Sequence, residues 1–237
     1  DPNNPPPQTE EGQYGYNDCE RYPDSPESKC QTVYINSLDD FCLFAPPSMG
    51  TIGDTERYAV SYCTQAGHGA RLIPRDTIKS AHFVHTDNFV QITGRMDQTK
   101  INIKKGDSGG EMDAHGADGK SNPIGALVLG ADRDGRLIQF PEWTSFLGND
   151  MFCMRACKGA FSLFRYCQHI YDVMGCEWNE PGNYESGFDT CDADSGEPMG
   201  VYRQEDGSES TWRQGQKPTP RPHPDPASSN CREEPTI

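Results

Sequence analysis

Ala81-His82-Phe83-Val84-His85 and, shortly after it, Phe89-Val90-Gln91-Ile92-Thr93 decide how this chain is read. Both runs are short, rich in Phe, Val and Ile, and set off by polar residues around Asp87 and by Gly94. Aromatic and β-branched side chains fit a pleated, half-buried surface, so each run reads as a strand. The same signature recurs at residues 32–36, 41–45, 57–63, 70–73, 100–103, 124–129 and 136–140, always punctuated by Gly, Pro or Asp. In Lys100-Ile101-Asn102-Ile103-Lys104 the isoleucines alternate with polar residues, as in an antiparallel strand with one face on a core.

The pattern changes after residue 140. Pro141-Glu142-Trp143 suits a helix N-terminus with Pro in its first turn. Residues 150–176 carry a helical period, in which Cys153 and Cys157 share a face at i,i+4 and Gly159 and Gly175 act as breaks. The expected fold class is therefore α+β, a mainly antiparallel β body with a disulfide-clamped helical segment near 141–176 and irregular termini. The expected organisation is an extended acidic arm over 1–30 and one disulfide-stabilised domain over 31–202. That domain is β-rich at 31–140, helical at 141–176 and loop-rich at 177–202, and a Pro-rich acidic tail follows over 203–237.

The 237 residues include ten cysteines, Cys19, Cys30, Cys42, Cys63, Cys153, Cys157, Cys167, Cys176, Cys191 and Cys231. The count is even and no C-x2-C pair occurs, which points away from zinc ribbons and thioredoxin-like motifs. Five disulfides formed in an oxidising compartment are expected, with the connectivity left open. The chain begins Asp1-Pro2-Asn3-Asn4 with no apolar leader, as expected of a secreted protein after signal-peptide removal. No N-x-[ST] sequon occurs, and Thr219 in the Pro-rich tail is a candidate for an O-linked sugar. No apolar run is long enough to span a bilayer. The net charge of −15 argues against a general nucleic-acid binder. The acids crowd the flanks: seven against two bases in residues 1–30 and thirteen against five in 177–237, with sixteen against fourteen between. Net charge therefore demands no electrostatic partner for the central surface.

Two constellations invite chemical readings. Gly106-Asp107-Ser108-Gly109-Gly110 has the letters of a chymotrypsin-like nucleophile loop, and Ser80-Ala81-His82 those of the matching histidine segment. Ser108 follows His82 too closely for the strands that separate the two in that fold, and Glu111 replaces the usual Pro. The reading disfavours a serine protease and favours a glycine-rich turn whose Asp107 and Ser108 bond local amides. From Asp107 to Asn122, Glu111, Asp113, His115 and Asp118 lie among glycines. Alternating acids ending in Asp-Gly point to a hard cation, so Asp113, His115 and Asp118 are candidate metal ligands and calcium the candidate ion, although the EF-hand register is broken. If the protein is an enzyme, Glu111, Asp113 and His115 are the candidate catalytic residues, with paired carboxyl groups suited to glycoside hydrolysis. Trp178 and Tyr184, in a Gly/Asn-rich stretch, are the candidate sugar-stacking residues. His82 and His85 fall on opposite faces of a strand and cannot readily share one ion.

Five strings also carry a resemblance: Asp40-Phe-Cys-Leu-Phe-Ala-Pro-Pro47, Ile52-Gly-Asp-Thr-Glu56, Gly67-His-Gly-Ala-Arg-Leu-Ile-Pro74, Gly110-Glu-Met-Asp-Ala-His-Gly-Ala-Asp-Gly119 and Cys167-Gln-His-Ile-Tyr-Asp-Val-Met-Gly-Cys176. They resemble a family of small secreted cysteine-rich proteins of mushroom-forming fungi, over roughly residues 30–202. The resemblance implies a basidiomycete protein found outside the cell or at its surface. It carries no established activity and hence no catalytic residue. The expected role is a non-enzymatic cell-wall or matrix component, with wall polysaccharide or copies of itself as partners and no cofactor. The alternatives are a secreted hydrolase using the carboxylates of residues 107–118, and a calcium- or other metal-binding module.

Overall fold

The computed structural model describes residues 1–132 and 134–237, apart from the side chains of Phe161 and Leu163. In chain order the strands are β1 (Thr32–Tyr34), β2 (Cys42–Ala45), β3 (Val60–Cys63), β4 (Arg71–Leu72), β5 (Ile78–His85), β6 (Phe89–Met96), β7 (Gly110–Asp113), β8 (Leu127–Ala131), β9 (Leu137–Gln139), β10 (Trp143–Gly148), β11 (Met151–Cys157), β12 (Phe188–Ala193), β13 (Val201–Arg203), β14 (Glu209–Thr211) and β15 (Ser228–Glu233). The α-helices are short: α1 (Ile52–Thr55), α2 (Gly159–Tyr166) and α3 (Gly175–Asn179).

The two runs at Ala81 and Phe89 pair as the antiparallel hairpin β5–β6. Its turn is closed by Thr86, whose Oγ1 accepts the amides of Asn88 and Phe89 at 3.1 and 2.9 Å. This hairpin sits at the centre of a seven-stranded sheet ordered β15-β12-β5-β6-β11-β10-β7. All neighbours in it are antiparallel except β12 and β5. Two three-stranded sheets, β1-β8-β9 and β2-β3-β4, pack with it. Phe41 stacks on Phe152 of β11 with ring centroids 5.7 Å apart, and Phe44 of β2 meets Trp143 of β10 at 5.3 Å. These rings, with Phe83, Ile92, Met154 and Val128, form one continuous buried core. A large apolar side chain fully withdrawn from water contributes about 1.5–3 kcal/mol, so this cluster is the main source of stability.

The helical expectation for 141–176 is corrected. Residues 143–157 form the hairpin β10–β11, and helix is confined to α2 and α3. Strand makes up 34% and helix 11% of the chain, so the fold is mainly β and the α+β expectation holds only loosely. The cause is the two-residue turn Asn149-Asp150, whose φ angles of 53° and 57° match the twist of a tight hairpin. The spacing of Cys153 and Cys157 was ambiguous from the start. Positions i and i+4 share a face of a helix, and they share a face of a strand as well, because four is even. Phe152, Met154 and Ala156 enter the main core, while Cys153 and Cys157 belong to separate clusters on the other side of β11.

The strand expected at 100–103 is also absent. The Asp97 carboxylate accepts the Thr99 amide and hydroxyl at 3.2 and 2.6 Å and starts a 3-10 turn over Gln98–Ile101. Asn102 ends it at φ 65°. Ile101 and Ile103 still both reach the core without a strand.

All ten cysteines are bridged: Cys19–Cys30, Cys42–Cys63, Cys153–Cys176, Cys157–Cys167 and Cys191–Cys231. Residues before β1 are held to the body, with Asn17 donating to the Gly125 carbonyl at 2.8 Å and Gly15 donating to Gln31 at 2.7 Å. At the other end β15 adds an edge strand to the large sheet beside β12, locked by Cys191–Cys231. Among the described residues, no helix is long and apolar enough to cross a membrane.

Candidate functional site

Strand β7 is the opposite edge of the seven-stranded sheet, and its position depends on the glycines before it. Gly109 has φ 88°, and a Cβ there would collide with the Leu147 backbone carbonyl. Asp107 braces the same loop, its Oδ2 accepting the Ile52 amide at the start of α1 at 2.8 Å and its Oδ1 the Gly109 amide at 3.2 Å. The protease-like letters are thus accounted for by backbone geometry. Ser108 is exposed and lines the cleft described below. His82 lines a different cavity, where it meets Asp189 at 3.0 Å and Asn183 at 3.2 Å.

The period of two on β7 sends Met112 into the core and turns Glu111 and Asp113 to the other face, opposite Phe146 and Thr144 of β10. That face is roofed by α3, which Cys176 ties to Cys153 of β11. The chain just before α3 delivers Asp172. One carboxylate oxygen from each of Glu111, Asp113 and Asp172 lies within 4.8 Å of the others. They stand in a cleft of about 1160 Å³, whose walls include Glu56, His115, Phe146, Met151 and His169.

Glu111 and Asp113 are 4% and 3% exposed, whereas Asp172 faces solvent. Burial, then the Asp113 charge and the adjoining Asp172, hold the Glu111 carboxyl well above the ordinary carboxylate range. Burial pushes Asp113 up to about 7, against the pull of the His115 amide that bonds its Oδ1 at 2.8 Å. Burial also raises Glu56. Behind the cleft, Glu180 is fully buried, with the Thr144 hydroxyl donating to it at 2.9 Å, and desolvation pushes it up to about 8 against the pull of Arg155. Paired acids whose environments differ this much are equipped to hold a proton, share one, or bind a cation.

At the rim, His115 bonds Glu142 through Nε2 at 2.7 Å. Its ring lies 4.7 Å from that of His169 and 6.2 Å from that of Phe164, which is 58% exposed. Burial lowers the His169 pKa. The cleft therefore has an acidic floor and an edge built from rings.

Of the residues singled out by sequence, the structure gathers Glu111, Asp113 and His115 around this cleft. It does not bring Asp118 to them, because that carboxylate is exposed and bonded to Arg57 at 2.6 Å. Nor do Trp178 and Tyr184 offer a stacking surface. Trp178 is packed with Tyr171 and Met199 and donates to the Pro220 carbonyl at 3.2 Å. Tyr184 is 6% exposed and donates to the Glu180 carbonyl at 2.8 Å. Asp172 and Glu56 were missed, and His169, which the sequence suggests is packed or hydrogen-bonded beside Cys167, lines the cleft instead. Asp172 and His169 lie inside the string Cys167–Cys176, whose cysteines bridge to Cys157 and Cys153 on the sheet. Cysteines flanking a polar turn were the one available signal, and their partners were not readable.

Over 232 residues the chain is 51% identical to appressorium protein ROW2 of Mycosarcoma maydis, spanning 95% of this chain and 78% of that one. The chain belongs to the family of appressorium protein ROW2. It is equally similar, at 51% over 231 residues, to appressorium protein ROW1 of the same fungus, of which it spans about half, 53%. No protein-family model matches the chain, and no solved structure does. The appressorium protein relatives come from a basidiomycete smut fungus, so the basidiomycete affinity stands while the relatives found are not from a mushroom-former.

Proposed function

We propose that this chain works outside the fungal cell, at the wall or its surrounding matrix, as a component that holds hydroxyl-rich polysaccharide in the cleft beside β7. The observation that carries the reading is the cleft itself. It is large enough for several sugar units, has carboxylates on its floor and the rings of His115 and His169 in its wall, and the exposed ring of Phe164 lies next to His115. Carboxylates accept hydroxyl hydrogen bonds, and ring faces stack on the apolar faces of sugars. The ten bridged cysteines favour an oxidising location. The relatives' names as appressorium proteins of a fungal pathogen fit a surface role. Pull-down on chitin, β-glucan and plant-wall fractions tests it, with Phe164→Ala and His169→Ala as variants. Retention on at least one polysaccharide, weakened by both variants, is expected, and a protein that ignores every fraction overturns the proposal.

A second reading is favoured by one observation. Glu111 is buried and Asp172 exposed within 4.8 Å, close to the roughly 5–5.5 Å between carboxyl groups of retaining glycosidases. On that reading Glu111 protonates the leaving oxygen and Asp172 attacks or stabilises the sugar. Release of reducing ends from the same fractions, abolished by Glu111→Gln and by Asp172→Asn, would turn the binding protein into a hydrolase.

A further inference from the structure

We infer that Glu111, Asp113 and Asp172 together bind one hard divalent cation on the floor of the cleft. The argument starts from Glu111. Its side chain is buried and aimed into the cleft, and among the described residues no N–H or hydroxyl donates to either carboxylate oxygen. An uncompensated buried carboxylate costs several kcal/mol, so native proteins protonate such groups, pair them or set them on a metal. Of the nearby basic groups, two are engaged elsewhere, and burial disfavours the charged form of the third, His169. Arg57 holds Asp118 and Asn122, each at 2.6 Å, and His115 holds Glu142 at 2.7 Å. What faces Glu111 is more negative charge.

The geometry fits an ion. Oxygens about 2.4 Å from a common centre lie at most about 4.8 Å apart across it. The three carboxylates each place one oxygen inside that limit. Two of them, on alternate positions of β7, are fixed by the sheet, and the third is fixed by the Cys153–Cys176 bridge. All three donors are hard oxygens with no thiolate or imidazole among them, which selects calcium, magnesium or manganese over zinc or copper. Remaining coordination positions open onto the cleft, where water completes the shell. This set replaces the triad Asp113, His115 and Asp118 expected from sequence, and it does not depend on the cleft receiving a polysaccharide.

Manganese serves as the probe because its free-ion paramagnetic resonance signal vanishes on binding. The whole chain, stripped with chelator and titrated with manganese chloride at neutral pH with no sugar present, is expected to bind one ion. Calcium and magnesium should displace it. Glu111→Gln and Asp172→Asn should each weaken binding by more than the roughly 10–100-fold that loss of an outer-shell partner costs. Asp118→Asn should bind as wild type. Circular dichroism of each variant separates ligand loss from misfolding. A free-ion signal undiminished by wild-type protein, or Glu111→Gln binding as tightly as wild type, overturns the site and leaves a proton shared between Glu111 and Asp172 as the way the pair is neutralised.

Discussion

Asp172 stands beside Glu111 because the Cys176 that follows it is bridged to Cys153, the strand neighbour but one of the acidic edge. A solvent-exposed acid on a connection is thereby held against a buried acid on a sheet. Replacing Cys153 and Cys176 together with alanine should destabilise the protein by about 2–4 kcal/mol, as for other native bridges. It should also release Asp172. Denaturant unfolding reads the first effect and the manganese titration the second. Loss of stability with undiminished ion binding would show that α3 stays in place without the bridge.

Glu111 should be a stability liability when no cation is bound. In chelator-treated protein, Glu111→Gln replaces a buried charge with an amide that can donate to Asp172, and it is expected to raise stability by about 1–3 kcal/mol. The midpoint of urea unfolding at slightly alkaline pH checks this. A lower midpoint than wild type would mean the carboxylate is compensated in some way the geometry does not provide.

The pH dependence has a definite sign. Burial raises Asp113 to about 7 and Glu180 to about 8, above their unfolded values of about 4. The folded chain then binds these protons more tightly than the unfolded chain. The stability they contribute is full below about pH 4 and is lost as pH rises through about 7 to 8. Asp40, lowered on balance by its bonds to His68 and Asn36 despite opposing burial, acts the other way, losing its contribution only as pH falls below the ordinary carboxylate range. Metal-free protein should therefore be more stable at pH 5.5 than at about pH 9. Glu180→Gln should flatten that slope, as read from unfolding midpoints across the range.

Gly109→Ala tests how the acidic strand is seated. A side chain there carries strain from its positive φ, about 1–3 kcal/mol, and meets the Leu147 carbonyl. β7 should detach from β10, lowering stability and abolishing ion binding, while Gly106→Ala meets no atom within 4 Å and carries only the strain of φ 76°. Amide exchange at Ala114, whose N–H donates to the Trp143 carbonyl at the start of β10 at 3.2 Å, would report the loss of pairing directly.

Asp118→Asn should leave thermal stability close to wild type. Its bond to Arg57 is exposed, and exposed ion pairs contribute little. A marked change in melting temperature would place Asp118 in a role its surroundings do not reveal.

The sequence alone determined what depends on local pattern. The hairpin Ala81–Thr93 was legible because alternation and β-branching act over a few residues, and so were most short strands up to residue 140. The even count of irregularly spaced cysteines pointed to five bridges, and Glu111, Asp113 and His115 stood out by their density. Tertiary structure decided the rest. The spacing Cys153 to Cys157 satisfies a helix and a strand equally, so only pairing with β6 and β10 could choose between them. Trp178 and Tyr184 looked like a sugar platform because nothing local shows that other parts of the chain bury them. Asp172 joined Glu111, and Asp118 left the set for Arg57, through contacts between residues far apart in the chain. Charge clusters are assembled in space, and a one-dimensional pattern carries neither the bridge partners nor the burial that set their chemistry.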